Sequence, residues 1–224
     1  MDLLEAISAR HSVRSYLDKP IEGETLEKLN AVIEECNRES GLNIQLVLNE
    51  PMAFDCFLAH YGKFSGVKNY IAIAGKKSKD LDEKIGYYGE KIVLYAQTLG
   101  LNTCWVYLTY KKVKNAYALN KGEKLGIVIS IGYGATQGNA RKSKSLASVS
   151  HAERPPEWFT RGVEAALLAP TAMNSQRFRF SLDGNMVKVT TSSGICSKID
   201  VGIVKYHFEL AAGKDNFEWF KPHV

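Results

Sequence analysis

The stretch LAPTAMNSQRFRF, Leu168 to Phe180, joins a helix to a strand through a built-in break. Upstream of it, Val163, Ala166 and Leu167 keep the spacing of one helical face. Pro170 ends that run, because proline has no amide hydrogen to continue a helix. Small and amide residues follow, and then Phe178, Phe180 and Leu182 alternate with Arg179 and Ser181 as a strand does. A helix end leaves unpaired backbone groups, so a flat or anionic molecule can sit on such a break.

The same pattern occurs earlier in the chain. Shifted back by 134 positions, Val163 falls on Leu29, Ala166 on Val32, Leu167 on Ile33, Phe178 on Ile44, Phe180 on Leu46 and Leu182 on Leu48. The register holds without a gap through helix, break and strand, which suggests an internal repeat. The copies differ at the break: the first has CNRESGLN, with Ser40 and Leu42 where the second has Asn174 and Gln176. A second pair of helices, Leu81 to Leu99 and Ile199 to Leu210, repeats the relation more weakly. Residues 138–156, polar, basic and ending in two prolines, read as a linker, which predicts a lobe over 1–150 and a shorter one over 151–224. Helices alternate with hairpin-like strands (YIAIAG, TCWVYLTY, GIVISIGYG), so the fold class expected is α+β.

Composition narrows the function. The 224 residues are 45% hydrophobic and 24% charged, as in a globular protein, and the apolar runs fall far short of the ~20 residues a membrane helix needs. The N-terminus lacks the apolar core and cleavage site of a signal peptide, so a cytoplasmic location is expected. Cys36, Cys56, Cys104 and Cys196 form no C-x-x-C pair and stand near no histidine cluster, which argues against zinc and against a disulfide framework. His60, His151, His207 and His223 show no pairing with cysteine or serine, and Trp105 and Tyr95 read as core aromatics. The net charge of +5 is spread over lysines interrupted by acids, which does not make a nucleic-acid stripe. A small anion needs only a few convergent bases.

Such bases occur near the start. ARHSVRSY places Arg10, His11, Ser12 and Arg14 after a short apolar helix, and on an extended segment Arg10, Ser12 and Arg14 point to one side. Two guanidiniums and a hydroxyl suit a phosphate, since guanidinium forks pair bidentately with its oxygens. The same residues also suit a solvated basic turn, whose arginines could be lost without harm to the fold.

Taken together, RHSVRSY, LAPTAMNSQRFRF, LGLNTCWV (Leu99 to Val106) and GIVISIGYG (Gly126 to Gly134) resemble the motifs of the nitroreductase family of flavoproteins. Three departures stand out. The family's Q-P-W is QRF here, Tyr107 and Leu108 replace common glycines, and the A-P-S-like segment appears only in the second copy. The resemblance is nearest to a branch with this rearranged order. It implies a nitroreductase-like, pseudo-dimeric chain in which two unequal lobes share one site for flavin mononucleotide (FMN).

By that resemblance, Arg10, Ser12 and Arg14 would hold the FMN phosphate and ribityl chain, with His11 beside them. Arg141, Lys142 and Lys144 would close on the phosphate as the family's basic tail does, although the same residues suit a solubilising linker. Pro170, Thr171, Ala172 and Asn174 would cover the ring from the second lobe, with Gln176 nearby. Asn69 would meet the ring edge, and the backbone of Tyr107 and Leu108 would face its N5. No catalytic side chain and no metal ligand is expected, because the cofactor carries the redox chemistry. The resemblance further implies NADH or NADPH as electron donor, a small electrophile such as a nitroaromatic or quinone as substrate, and a monomer or weak homodimer. A flavin-binding module without efficient turnover is the other reading.

Overall fold

In a computed structural model that describes residues 1–221, the chain is α+β, with two separate sheets and a layer of helices between and around them. Helix α1 (Leu3–Ala9) opens in a capping box, with Asp2 accepting from the Glu5 amide and Glu5 accepting from the Asp2 amide. Then come α2 (Gly23–Ser40), β1 (Asn43–Val47), α3 (Phe57–Tyr61), β2 (Tyr70–Lys76), α4 (Leu81–Thr98), β3 (Asn102–Val106) and β4 (Glu123–Gly132). Their strands form one antiparallel sheet in the order β1-β2-β4-β3. The second half holds α5 (Leu146–Val149), α6 (Glu157–Leu167), β5 (Phe178–Asp183), β6 (Met186–Thr191), α7 (Ser197–Ala212) and β7 (Glu218–Trp219). Here β5 and β6 pair antiparallel, and β7 adds in parallel to β6. His223 lies outside the described residues.

The two helix-break-strand stretches fold alike. Leu29, Val32 and Ile33 of α2 and Val163, Ala166 and Leu167 of α6 are all buried, as are Ile44 and Phe178. The halves carry separate sheets but share one core. Ile33, Ile73 and Ile129 belong to the same apolar cluster as Phe159, Phe180 and Phe208. Helices α4 and α7 cross at its centre, and small residues set how close they come. A methyl group on Gly86 would overlap the Ile199 carbonyl, and one on Gly202 would overlap the Glu83 carbonyl. The contact is reciprocal: each glycine meets the carbonyl of the residue three positions before the other.

Helix α2 starts at Gly23 with Glu22 in the cap position. Two local expectations change. Strand β3 stops at Val106, which leaves Tyr107 and Leu108 exposed on the bend beyond it. The linker is bound to the second half: Asn174 donates to the Lys142 carbonyl at 2.9 Å, and the Lys144 amide donates to Gln176 Oε1 at 2.7 Å.

Candidate functional site

A cleft runs between the N-terminal segment, the ends of β3 and β4, and the turn after α6. Its outer compartment, about 500 Å³, is walled by His11, Ser12, Arg14, Lys63, Arg141 and the 170–174 turn. None of its wall residues is an acid. Arg14 is exposed there and lies over the Phe64 ring at 5.8 Å, with no acidic partner within salt-bridge range among the described residues. The buried Nε of Arg141 has no hydrogen-bond partner among the described residues. Burial and the neighbouring Arg10 push the Arg141 guanidinium down to about 10, and burial, Arg10 and Arg141 together push His11 below the ordinary histidine range. Unpaired, partly desolvated cations with no acid among them form a field that an anion relieves.

The inner compartment, about 130 Å³, shares Ser12, Arg14 and the turn with the outer one and is mainly apolar, lined by Cys104, Trp105, Ile127, Ile199 and Ile203. It also meets Tyr107, Met173, Cys196 and one carboxyl, Asp200. Tyr107, Cys196 and Ile199 also line a third chamber of about 390 Å³, bounded by Leu108, Tyr110, Lys112 and Lys124. Basic outside and apolar within, the cleft is in the size range of small-molecule sites, roughly 300–1,000 Å³.

The turn that covers the cleft is strained and strapped. Met173, Asn174 and Gln176 have φ of 54°, 52° and 44°, in the left-handed region that costs a side chain about 1 kcal/mol or more. Gln176, buried, offsets this by donating to the Leu167 carbonyl at 2.8 Å and accepting from the Lys144 amide. Asp200, on α7, accepts from the Ala172 amide with both oxygens, at 3.0 and 3.2 Å. Met173 projects with 94% of its surface exposed, although it borders both compartments.

Behind the cleft lies a buried charge cluster. Glu90 of α4, fully buried, accepts from Trp105 Nε1 at 2.9 Å, bonds His207 Nε2 at 2.8 Å and faces Arg10 Nε at 3.8 Å. His207 reaches on to the Ala165 carbonyl at 3.1 Å. The cluster ties α4, β3, α6 and α7 to the segment that carries the cleft's bases.

A family model described as "Putative TM nitroreductase" matches residues 2–212. The chain belongs to this nitroreductase family. Among solved structures, the putative nitroreductase of Thermotoga maritima superposes with a TM-score of 0.68 at 24% identity, covering 94% of this chain and 83% of its own. A putative nitroreductase from Desulfovibrio desulfuricans, solved in complex with FMN, gives 0.54 at 20% identity, covering 70% of this chain and 99% of its own. A putative NADH dehydrogenase/NAD(P)H nitroreductase from Parabacteroides distasonis gives 0.52 at 21%, covering 67% and 98%. Among curated proteins none matches.

Against this nitroreductase fold, the expected site residues divide. His11, Ser12, Arg14, Arg141, Pro170, Thr171 and Asn174 converge on the outer compartment, and Tyr107 and Ala172 border the inner one. Leu108 reaches only the third chamber. Arg10 does not line the cleft: it is 2% exposed and turns inward to Glu90 and the Leu168 carbonyl. Asn69 lies elsewhere: its Oδ1 accepts from the Asn49 amide, and it borders a separate small cavity beside Lys68. Lys142, Lys144 and Gln176 hold the turn from behind instead of lining the cleft. The sequence reading missed Lys63, Met173, Cys196 and Asp200. For Asp200 a signal existed, an acid set among Ile199, Val201, Ile203 and Val204.

Proposed function

We propose that this chain is an FMN-dependent oxidoreductase that takes electrons from NADH or NADPH and reduces a small electrophile such as a nitroaromatic or quinone. The observation that carries the reading is the polarity of the cleft, acid-free and cationic outside and apolar inside, which fits a molecule with a phosphate at one end and an aromatic ring at the other. Arg14, Arg141, Ser12 and His11 would hold the phosphate, and the unpartnered Arg141 Nε gives it a donor. Trp105, Ile127, Ile203 and the 170–173 turn would enclose the ring. When bound, the cofactor supplies two-electron transfer in both directions. The chain's residues would bind and orient it and exclude bulk water from the inner compartment, where the electrophile would meet the ring.

The site is proposed to occur once per chain. At the equivalent break in the first half, Asn37 exchanges two hydrogen bonds with Ile44 at 2.9 and 2.7 Å, and Ser40 bonds Cys36 and Leu42. Those polar groups are already satisfied, and Gly41 ends the helix in an ordinary left-handed cap. The chain would then be self-sufficient as a monomer. FMN titration of the purified protein, with its solution mass, should give one FMN per chain, and anaerobic NADH or NADPH should bleach the bound flavin. Two flavins per chain would refute the single site, and bound flavin that neither nicotinamide reduces would favour a binding module without turnover.

A further inference from the structure

We propose that Asp200 is the general acid of this cleft, giving up the proton that the electrophile needs as it accepts a hydride. The inference rests on the functional reading above. Asp200 is 7% exposed and borders the inner compartment, so its carboxyl is shielded from bulk water yet reachable from the cleft. The Ala172 amide, shared between its two oxygens, is its one hydrogen-bond partner among the described residues, and no Lys, Arg or His pairs with it. A carboxyl in apolar surroundings without a cation keeps its proton to higher pH than an exposed one. Burial accordingly pushes Asp200 up to about 7, opposed only by the Ala172 amide. It can therefore both hold and release a proton near neutrality, as a general acid must.

The groups around it do not compete for that role. On the cleft walls stand Arg14, Cys104, Tyr107 and Cys196, and burial raises both thiols, Cys196 to about 11. From α4, Glu83 faces α7 but is held by Lys205, and Asp82, near Cys196, pairs with Lys124 at 3.7 Å. With a quinone as acceptor the step balances. One hydride, drawn ultimately from the reduced nicotinamide, brings two electrons and one hydrogen. The Asp200 O–H bond breaks as a new O–H bond forms on the reduced quinone, hydroquinone is released, and water reprotonates the carboxylate.

The test begins without the cofactor. Infrared difference spectra of the full chain between pH 5 and 8 should show a protonated-carboxyl band with a midpoint near 7 that D200N lacks. A band that titrates in the ordinary carboxylate range overturns the proposal. D200N keeps an oxygen for the Ala172 amide, so its FMN affinity should stay within about twofold of wild type. In single-turnover oxidation by 1,4-benzoquinone, the wild-type rate should fall about tenfold per pH unit above the midpoint, whereas D200N should be flat and about 100-fold slower at pH 6. D200E should recover part of the rate. A D200N protein that binds FMN, accepts electrons from the nicotinamide and passes them to the quinone with the wild-type rate and pH profile overturns the general acid alone. Wild-type protein that binds no FMN overturns the functional reading and the general acid with it, and shows itself before the variants are compared. Should D200N fail to fold, the wild-type band and pH profile decide the matter unaided.

Discussion

Two arginines four residues apart in the N-terminal segment should respond to mutation in opposite ways. Arg10 has a side chain 1% exposed, with its Nε 3.8 Å from a carboxylate that is fully buried, whereas Arg14 is exposed in the cleft without an acidic partner. Removing one member of a buried ion pair costs about 3–5 kcal/mol, chiefly because the other charge is left behind. Glu90 would keep its bonds from Trp105 and His207, so R10A should fall at the lower end, about 3 kcal/mol. For a chain of this length that is a fall in melting temperature of roughly 6–12 °C. R14A should change stability by less than about 0.5 kcal/mol, as exposed substitutions usually do. Its effect belongs to the ligand: loss of a charge-assisted bond to phosphate, about 1.5–3 kcal/mol, should weaken FMN binding at least about tenfold. Urea unfolding followed by tryptophan fluorescence and FMN titration separate the two, with R10M as a control that keeps the aliphatic stem. If R10A unfolds within about 1 kcal/mol of wild type, the view of Arg10 as the structural counter-charge of Glu90 is wrong.

Three further outcomes are expected. R141Q should weaken FMN binding yet leave the FMN-free protein as stable or more so, because it removes a partly buried cation beside Arg10; melts with and without inorganic phosphate would show it, and equal phosphate stabilisation of both proteins would count against it. Substituting Gly86 by Leu should force α4 and α7 apart, cost roughly 1–3 kcal/mol and loosen the wall that carries Ile199 and Asp200; chemical denaturation and FMN titration would both have to move. Asp200 also makes stability depend on pH. Its folded value, near 7, lies above the ordinary 3.8, so the folded state binds the extra proton between those values. Wild type should therefore lose stability relative to D200N as pH rises from about 4 to 7, by up to about 4 kcal/mol, and a difference that does not vary with pH would contradict the buried carboxyl.

The fold was legible in the sequence wherever one element sufficed to set a pattern. The gapless register from Leu29 to Leu48 and from Val163 to Leu182 locates α2, β1, α6 and β5, because burial on one face imposes spacing on any sequence. What it could not give was which element each half's residues would meet. Gly86 and Gly202 look like weak points in two amphipathic helices until Ile199 and Glu83 are seen to press on them. The inward turn of Arg10 has the same cause. A motif places Arg10 and Arg14 on one side of an extended segment, and the backbone at Arg10 is extended as that requires, but its side chain is claimed by an acid 80 residues later. The family resemblance gives Lys142, Lys144 and Gln176 to the ligand, whereas here the Lys142 carbonyl, Lys144 and Gln176 bond to and within the turn that holds Met173, Asn174 and Gln176 in the left-handed region.

This division bears on how the site would work. The outer compartment holds the exposed bases Arg14 and Lys63, and the strain in the turn above them is held by groups outside that compartment, Gln176, Lys144 and Asp200. Of these, Asp200 alone both supports the turn and borders the inner compartment. A proton lost from it changes the charge on the wall while the Ala172 bond can remain, since either form of a carboxyl keeps an acceptor oxygen. Proton release at Asp200 is thus compatible with an unmoved cover. For this reason D200N, which keeps the acceptor and removes the acid, tests the chemistry, whereas Asp200→Ala would confound it with collapse of the turn.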